Sequence, residues 1–361
     1  MQVISSYEPQ DVTFLLKDIT DAKLEQSNEA RERAIQAGVH YSEMLPIEYE
    51  PSKDYWQLYK QSLTQYKREV AIATGVVGEL LLAEKGEDIV LVSLVRAGTP
   101  VGILLKRYLQ TKGVDVPHYS ISIIRGRGID TNALSYITKQ HPERTIVFVD
   151  GWTGKGAITE QLITAVDAFN ELNGTHISAD LAVLADPAEC ATYFGTRKDF
   201  LIPSSCLNSV VSGLVSRSVL NDKLIGPHDF HGAKVYHELA SKDVSRAYIA
   251  TIVGEFAEAK DAITKQLAVI QASDRTVTWA GMRDIITIQE HYGIVDHNLV
   301  KPGVGETTRV LLRRMPWKIL VKDMNDPSLT HIFQLAKERG VTVEPYQAMN
   351  YACCGLIRPI G

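Results

Sequence analysis

Cysteine is scarce. The 361 residues hold only Cys190, Cys206, Cys353 and Cys354, with no C-x-x-C pair and no alternation with histidine at metal-ligand spacing. Reduced thiols are the expectation, and a disulfide scaffold or structural zinc site is disfavoured. Long apolar runs are missing too, since no window approaches the roughly 18 uncharged residues of a membrane span. The opening MQVISSYEPQDV also lacks a basic stretch followed by an apolar one, so a cytoplasmic protein without membrane contact is expected. An excess of positive charge is absent: 38 Lys and Arg against 43 Asp and Glu give −5, which argues against nucleic-acid binding over the whole surface. There is no internal repeat or low-complexity segment, and Gly and Pro usage is that of a globular protein.

What is present alternates. Residues 1 to 60 read as a polar, tyrosine-rich arm, helix-compatible from Asp18 to Ala37, leading into an amphipathic helix from Tyr66 to Ala83. Strand-like IVLVSLV (89 to 95), YSISII (119 to 124), TIVFV (145 to 149) and the run from Ile177 to Ala185 are separated by helical patterns at 101 to 109 and 158 to 172. Strands alternating with helices predict an α/β fold, a parallel sheet with helices on both faces. A helical stretch from Arg246 to Ala272 and the polar residues Ser273 to Arg275 then separate residues 1–275 from 276–361. The second unit reads as a small αβα domain around WKILV (317 to 321), a helix from Leu329 to Arg339 and a strand from Val341 to Glu344. From Thr276 on there are 10 Lys and Arg against 8 Asp and Glu, leaving 28 against 35 before it, so the second unit is the more basic.

In wound α/β sheets ligands sit beyond the carboxyl ends of the strands. After TIVFV comes Asp150-Gly151-Trp152-Thr153-Gly154-Lys155-Gly156-Ala157-Ile158-Thr159. Three glycines let amides converge on an anion at a helix start, and Lys155 adds charge, which is phosphate-binding chemistry. It is not a Walker A loop, because Val149 and Gly156 stand where Gly and a hydroxyl are needed. After IVLVSLV comes Arg96-Ala97-Gly98-Thr99, a second candidate anion loop, and after YSISII comes Arg125-Gly126-Arg127-Gly128, expected to be a mobile loop that closes on an anion. Cys206, with His228, His231 and His237 downstream, offers the ingredients of a thiolate nucleophile, although its apolar, Ser-rich surroundings suit a packed thiol better. His231, Asp229 and Lys234 are candidates for an acceptor pocket.

These three elements, in this order, resemble type I phosphoribosyltransferases. More closely, HYSEMLPIEY, SLVRAGTPVG, HYSISIIRGRGID, VDGWTGKGAI and IPSSCLNSVVSGLVSR resemble the phosphoribosyltransferase-like family encoded beside tellurite-resistance stress genes, also labelled cysteine protease StiP. The resemblance covers roughly the first 270 residues. It departs from the usual phosphoribosyltransferase loop in having Gly151 after Asp150 and Lys155 where Thr is common. It implies a type I phosphoribosyltransferase-like sheet and displacement of pyrophosphate from a phosphoribosyl pyrophosphate-like donor by an unidentified base or nucleotide-like acceptor. On this resemblance Thr153, Gly154, Lys155, Gly156 and Thr159 hold the 5-phosphate and Asp150 the ribose hydroxyls. Arg96, Ala97, Gly98 and Thr99 hold the pyrophosphate with Mg2+, bound mainly through the donor, and no protein metal site is implied. Arg125 and Arg127 neutralise leaving-group charge. A cysteine protease with Cys206 as nucleophile and a non-catalytic phosphoribosyl-ligand sensor are the alternatives. In the second unit, Gly303, Gly305, Glu306, Thr308, Arg309 and Arg313 resemble the helix-initiating element of Pelota and kink-turn-binding proteins, with Gly305 where Asn is usual; this implies contact with structured RNA. A homo-oligomer is left open.

Overall fold

The structure is a computed structural model that describes residues 2 to 358. Its first unit consists of β1 (Thr13–Phe14), α1 (Asn28–Gln36), α2 (Lys53–Lys85), β2 (Ile89–Leu94), α3 (Gly98–Thr111), β3 (His118–Ile121), α4 (Thr131–Gln140), β4 (Thr145–Val149), α5 (Ala157–Asn173), β5 (Leu181–Ala185), β6 (Tyr193–Thr196), α6 (Ser245–Val253) and α7 (Phe256–Ala272). The six strands form one sheet in the order β1-β3-β2-β4-β5-β6, and every pair is parallel. All side chains of β2 and β5 are buried, as uninterrupted apolar runs require in a sheet covered on both sides. From β2 the chain moves outward to β3, then crosses back to β4 on the other side. With right-handed crossovers, α3 and α5 therefore lie on opposite faces, and β2 and β4 flank the switch point.

The second unit consists of α8 (Ala280–Tyr292), β7 (Val300–Pro302), α9 (Val304–Arg313), β8 (Pro316–Val321), α10 (Thr330–Glu338), β9 (Thr342–Pro345) and β10 (Cys353–Ile357). Its sheet, β7-β10-β8-β9, is mixed: β10 runs antiparallel to both neighbours, and β8 and β9 are parallel. Cys353 and Cys354 are buried in this central strand, and all four cysteines are free.

The sequence reading departs from the structure in several places, among them the strand expected from Ile177, which begins at Leu181, and the first core helix, which begins at Lys53. The helix expected over 18 to 37 is only α1; Asp18 instead accepts from its neighbour Thr20 (N at 2.8 Å, Oγ1 at 2.6 Å) and Lys17–Asp18 pairs with Gly232–Ala233, since a short Asp side chain offers the backbone a turn. YSISII splits after Ile121, and Ile123–Ile124 forms an antiparallel hairpin with Gly128–Ile129. The helical run from Arg246 to Ala272 breaks at Gly254 into α6 and α7.

The second unit has an apolar cluster of its own, around Ile285, Ile288, Leu320 and Leu356, yet the two units also share a core. One continuous apolar cluster contains Val70, Val77, Leu91 and Phe148 of the first unit and Val304, Leu311, Ile319, Leu329 and Ile332 of the second. Among the described residues no helix is long and apolar enough to cross a membrane.

Candidate functional site

The loops after β2 and β4 meet at the switch point. A side chain on Gly98 would come within 2.2 Å of the Val149 carbonyl, so only glycine lets the Arg96-Ala97-Gly98 turn press against the end of β4. The Val95–Arg96 peptide is cis. Arg96 is half-buried, with the Glu48 carboxylate at 3.9 Å and the Val215 carbonyl at 3.5 Å. Burial pushes its pKa down, and Glu48 opposes that. Thr99 is buried and its hydroxyl is shared with Ser120 of β3 at 2.7 Å, so it braces the loop rather than facing a ligand.

Asp150 closes β4. Its Oδ1 accepts the Gly151 amide at 2.8 Å, and burial raises the carboxyl to about 7, where a group can both take and give a proton near neutrality. Thr153 is committed elsewhere: its Oγ1 donates to the buried Asp186 at 2.6 Å and accepts from the Ala188 amide at 3.2 Å. Asp186 also accepts from the Cys190 and Ala191 amides and from Arg197, so Thr153 staples the loop to the end of β5. Thr159 is likewise buried, its hydroxyl 3.4 Å from the Cys190 thiol. Both hydroxyls have partners within the protein, whereas the backbone at the helix start is open. Gly156, at φ +86°, turns the chain into α5, and among the described residues no acceptor is found for the amides of Lys155, Gly156, Ala157 and Ile158. Four such amides at a helix start form an anion cradle.

Beside this cradle opens a cleft of about 740 Å³, lined by Ala157 and Ile158 of α5, by Arg31, His40 and Tyr41 of the arm, and by Arg125 and Arg217. Arg217 donates to the Tyr41 carbonyl at 2.7 Å, and burial, followed by repulsion from Arg31, lowers its pKa to about 10. The arginine loop is pinned, not loose: Tyr41 Oη holds the Arg125 amide at 2.9 Å, Gln161 holds the Gly126 amide at 2.6 Å, and Arg127 pairs with Glu43 at 2.5 Å. Arg125 faces the cleft and Arg127 is held by the arm. Asp229 and Lys234 are likewise taken, by Lys17 and Glu25, and His231 is buried against Ser122 at 2.8 Å.

The second unit sits over the same loop. Tyr351 Oη donates to the Gly154 carbonyl at 2.6 Å, Lys155 donates to the His297 carbonyl, and the Trp279 ring fills the place a side chain on Gly156 would take. Lys155 is lowered to about 8 by burial and by the like charges of Lys301 and Arg125. The residues read as RNA-facing have partners within the protein, although Arg313 is exposed and Glu306 and Arg309 are half-buried. At the start of α9, Gly303 has φ +90° and the Val304 amide donates to both oxygens of buried Asp199, at 3.1 and 3.2 Å. Burial raises that carboxyl to about 6. Gly305 lies against Ser205 and Trp152. Thr308 donates to the Val304 carbonyl at 2.7 Å, and Glu306 pairs with Arg309 at 3.0 Å. Arg309 also donates to the Ser205 carbonyl at 3.1 Å, while Arg313 donates to Tyr55 Oη and stacks over its ring at 4.4 Å. No RNA backbone reaches the α9 start while Asp199 occupies it.

Cys206 is buried, with Ser62 Oγ at 3.6 Å, and burial pushes its thiol up to about 11. Sequence reasoning missed Asp186, Asp199, Lys301, Trp279 and Tyr351. Only Lys301 carried a local signal, as the Lys-Pro-Gly preceding α9. Among the described residues no cluster of His, Cys, Asp and Glu is placed to hold a metal.

Residues 5–253 match the family model described as tellurite-like stress resistance cysteine protease StiP, and residues 279–359 match the PELOTA RNA binding domain. A protein of Acinetobacter baylyi named cysteine protease StiP is 36% identical over 368 residues, covering 96% of this chain and 93% of that one. Among solved structures, a hypoxanthine-guanine-xanthine phosphoribosyltransferase aligns at 16% identity over 37% of this chain and 74% of its own, with a TM-score of 0.24. The HGPRT-ase from Leishmania tarentolae in complex with GMP aligns at 14% over 39% and 77%, with a TM-score of 0.26. Those scores are too low to carry an argument. The family model and the Acinetobacter relative suffice: the chain belongs to the StiP family and carries a PELOTA domain at its C-terminal end.

Proposed function

We propose that the protein transfers a phosphoribosyl group from a phosphoribosyl pyrophosphate-like donor to a base or nucleotide-like acceptor. The observation that supports this most is the pairing of two loops at one switch point: an amide cradle beginning α5, and the Arg96 turn packed against Asp150. The donor's 5-phosphate sits on the cradle and its pyrophosphate lies toward Arg96 and Arg125. An acceptor nitrogen bonds to the ribose C1 as the C1–oxygen bond breaks; pyrophosphate leaves with the electron pair, and the acceptor's proton passes to Asp150, whose pKa near 7 suits the task. Arg125 offsets the leaving charge from the cleft wall. Mg2+ bound through donor oxygens would supply charge neutralisation. RNA is a proposed partner of the PELOTA domain, reached once the Asp199 contact opens.

Release of pyrophosphate from labelled donor, across a panel of bases and nucleotides, tests the reading; binding without release makes the protein a sensor instead. The name of the family favours a second reading, a cysteine protease. The buried, high-pKa state of Cys206 counts against it as nucleophile, and labelling of native Cys206 by a thiol probe would favour it.

A further inference from the structure

Half-buried cations in this chain usually acquire a carboxylate. Lys234 has Glu25 at 2.5 Å, Lys85 has Asp180 at 2.7 Å and Arg107 has Asp11 at 2.6 Å. The domain junction breaks the pattern. Lys155 has only the carbonyl of His297, and among the described residues the half-buried ammonium of Lys301 has no hydrogen-bond or ion-pair partner, while the guanidinium groups of Arg125 and Arg314 are exposed to solvent. Two carboxylates face this group without forming an ion pair to either lysine: Glu306 pairs with Arg309 at 3.0 Å, and Asp296 accepts the Asn298 amide at 2.8 Å.

The placement is geometric. Lys155 reaches across to His297, and four residues later the chain, now β7, carries Lys301 past the same loop. Tyr351 on the Gly154 carbonyl and Trp279 on Gly156 hold the second unit there. Burial lowers the pKa of Lys301, the Glu306 charge opposes this, and Arg314 and Arg125 add to it; Lys155 is lowered by burial and then by Lys301. Two half-buried lysines without an ion-pair partner, beside an amide cradle without acceptors, make a place where a dianionic phosphate gains charge-assisted hydrogen bonds.

We propose that Lys301, from the PELOTA domain, is a ligand-binding residue that closes with Lys155 and Arg125 on a phosphate group seated at the start of α5, so that this site is built from both domains. The inference rests on the phosphate-binding reading of the loop given above. The phosphate belongs either to a small phosphoribosyl donor or to an RNA strand, and the chemistry of the grip is the same.

The test uses the full-length protein, titrated by calorimetry with phosphoribosyl pyrophosphate and Mg2+, with inorganic phosphate and with a structured RNA. Lys301→Met is expected to weaken the phosphate ligand by about tenfold, the loss implied by one hydrogen bond to a charged group, while Lys301→Arg retains most of the affinity. The melting temperature of ligand-free Lys301→Met should rise, because a repelling charge has gone; a merely structural lysine would lower it. Lys337→Met, on the exposed face of α10, should change neither. A loss confined to RNA assigns the phosphate to RNA, and a loss confined to the small donor assigns it there. If the unmodified protein binds phosphate or donor and Lys301→Met binds equally well, the two-domain site is wrong and the loop reading stands. If the unmodified protein binds none of the three, the loop reading falls and this inference with it.

Discussion

Two helices begin alike and end up in opposite electrostatic states. Both α5 and α9 follow a strand, start at a glycine with positive φ and have basic residues close by. At α9 the N-terminus is filled by the Asp199 carboxylate, and Arg309 and Arg313 are spent on Ser205 and Tyr55. At α5 the first amides remain without acceptors among the described residues, and the nearby Lys155 and Lys301 have no carboxylate partner. The same local pattern serves as a domain clamp in one place and as a candidate ligand site in the other. The difference lies in whether the rest of the chain supplies a carboxylate.

The largest effect should come from filling the α5 start. Gly156→Val places a β-branched residue at φ +86° with its Cβ 2.7 Å from the Trp279 ring, so phosphate binding should be lost and stability should fall by about 2 kcal/mol or more. Gly154→Val has nothing within 4 Å to meet and should weaken binding while leaving the melting temperature nearly unchanged. Equal affinity in both variants, by calorimetry, would remove α5 as a ligand site.

Emptying the α9 clamp comes next. Asp199→Ala leaves the Val304 and Ala352 amides without their acceptor and should cost about 1–3 kcal/mol in denaturant unfolding. It should also raise affinity for structured RNA, with a steeper salt dependence as phosphate contacts become available. Unchanged RNA affinity would leave α9 as a clamp alone.

Asp150 separates the two starts by pH. Its folded pKa of about 7 lies above the ordinary carboxylate value, 3.8, so the stability it contributes is present at low pH and is lost as pH rises through 7. The melting temperature of Asp150→Asn minus that of the unmodified protein should therefore climb between pH 3.8 and about 7 and then level off. A flat difference would mean the carboxyl is not desolvated. Any pyrophosphate-releasing activity should fall sharply in the same variant.

Cys206→Ser should do least: small changes in melting temperature and in donor binding, and no labelling of the native thiol at pH 8, as a thiol raised to about 11 implies.

What was legible in the sequence was local. The alternation of buried strands and helices, the glycine turn after Asp150 and the Gly174 stop of α5 each depend on residues close in the chain. The adjacency of the Arg96 and Asp150 loops followed from the general behaviour of parallel sheets. The junction was not legible, because its bonds join residues far apart: 105 positions between Asp199 and Val304, 142 between Lys155 and His297, 258 between Tyr55 and Arg313. No spacing rule reaches that far. The hydroxyls of Thr153 and Thr159 looked like phosphate ligands for the same reason, since their partners Asp186 and Cys190 lie on another loop.

The apolar cluster that runs unbroken through both units bears on how this gene tolerates damage. A stop codon near position 275 would not release a trimmed enzyme. It would strip the cover from a shared interior that includes Leu311, Ile319 and Ile332, and the exposed wall would mark the remnant for proteolysis or aggregation. Truncation within this region should therefore act through loss of abundance, and exchange of residues 276–361 between relatives should succeed only when the matching surface of α2 and the residues around Asp199 travel with them.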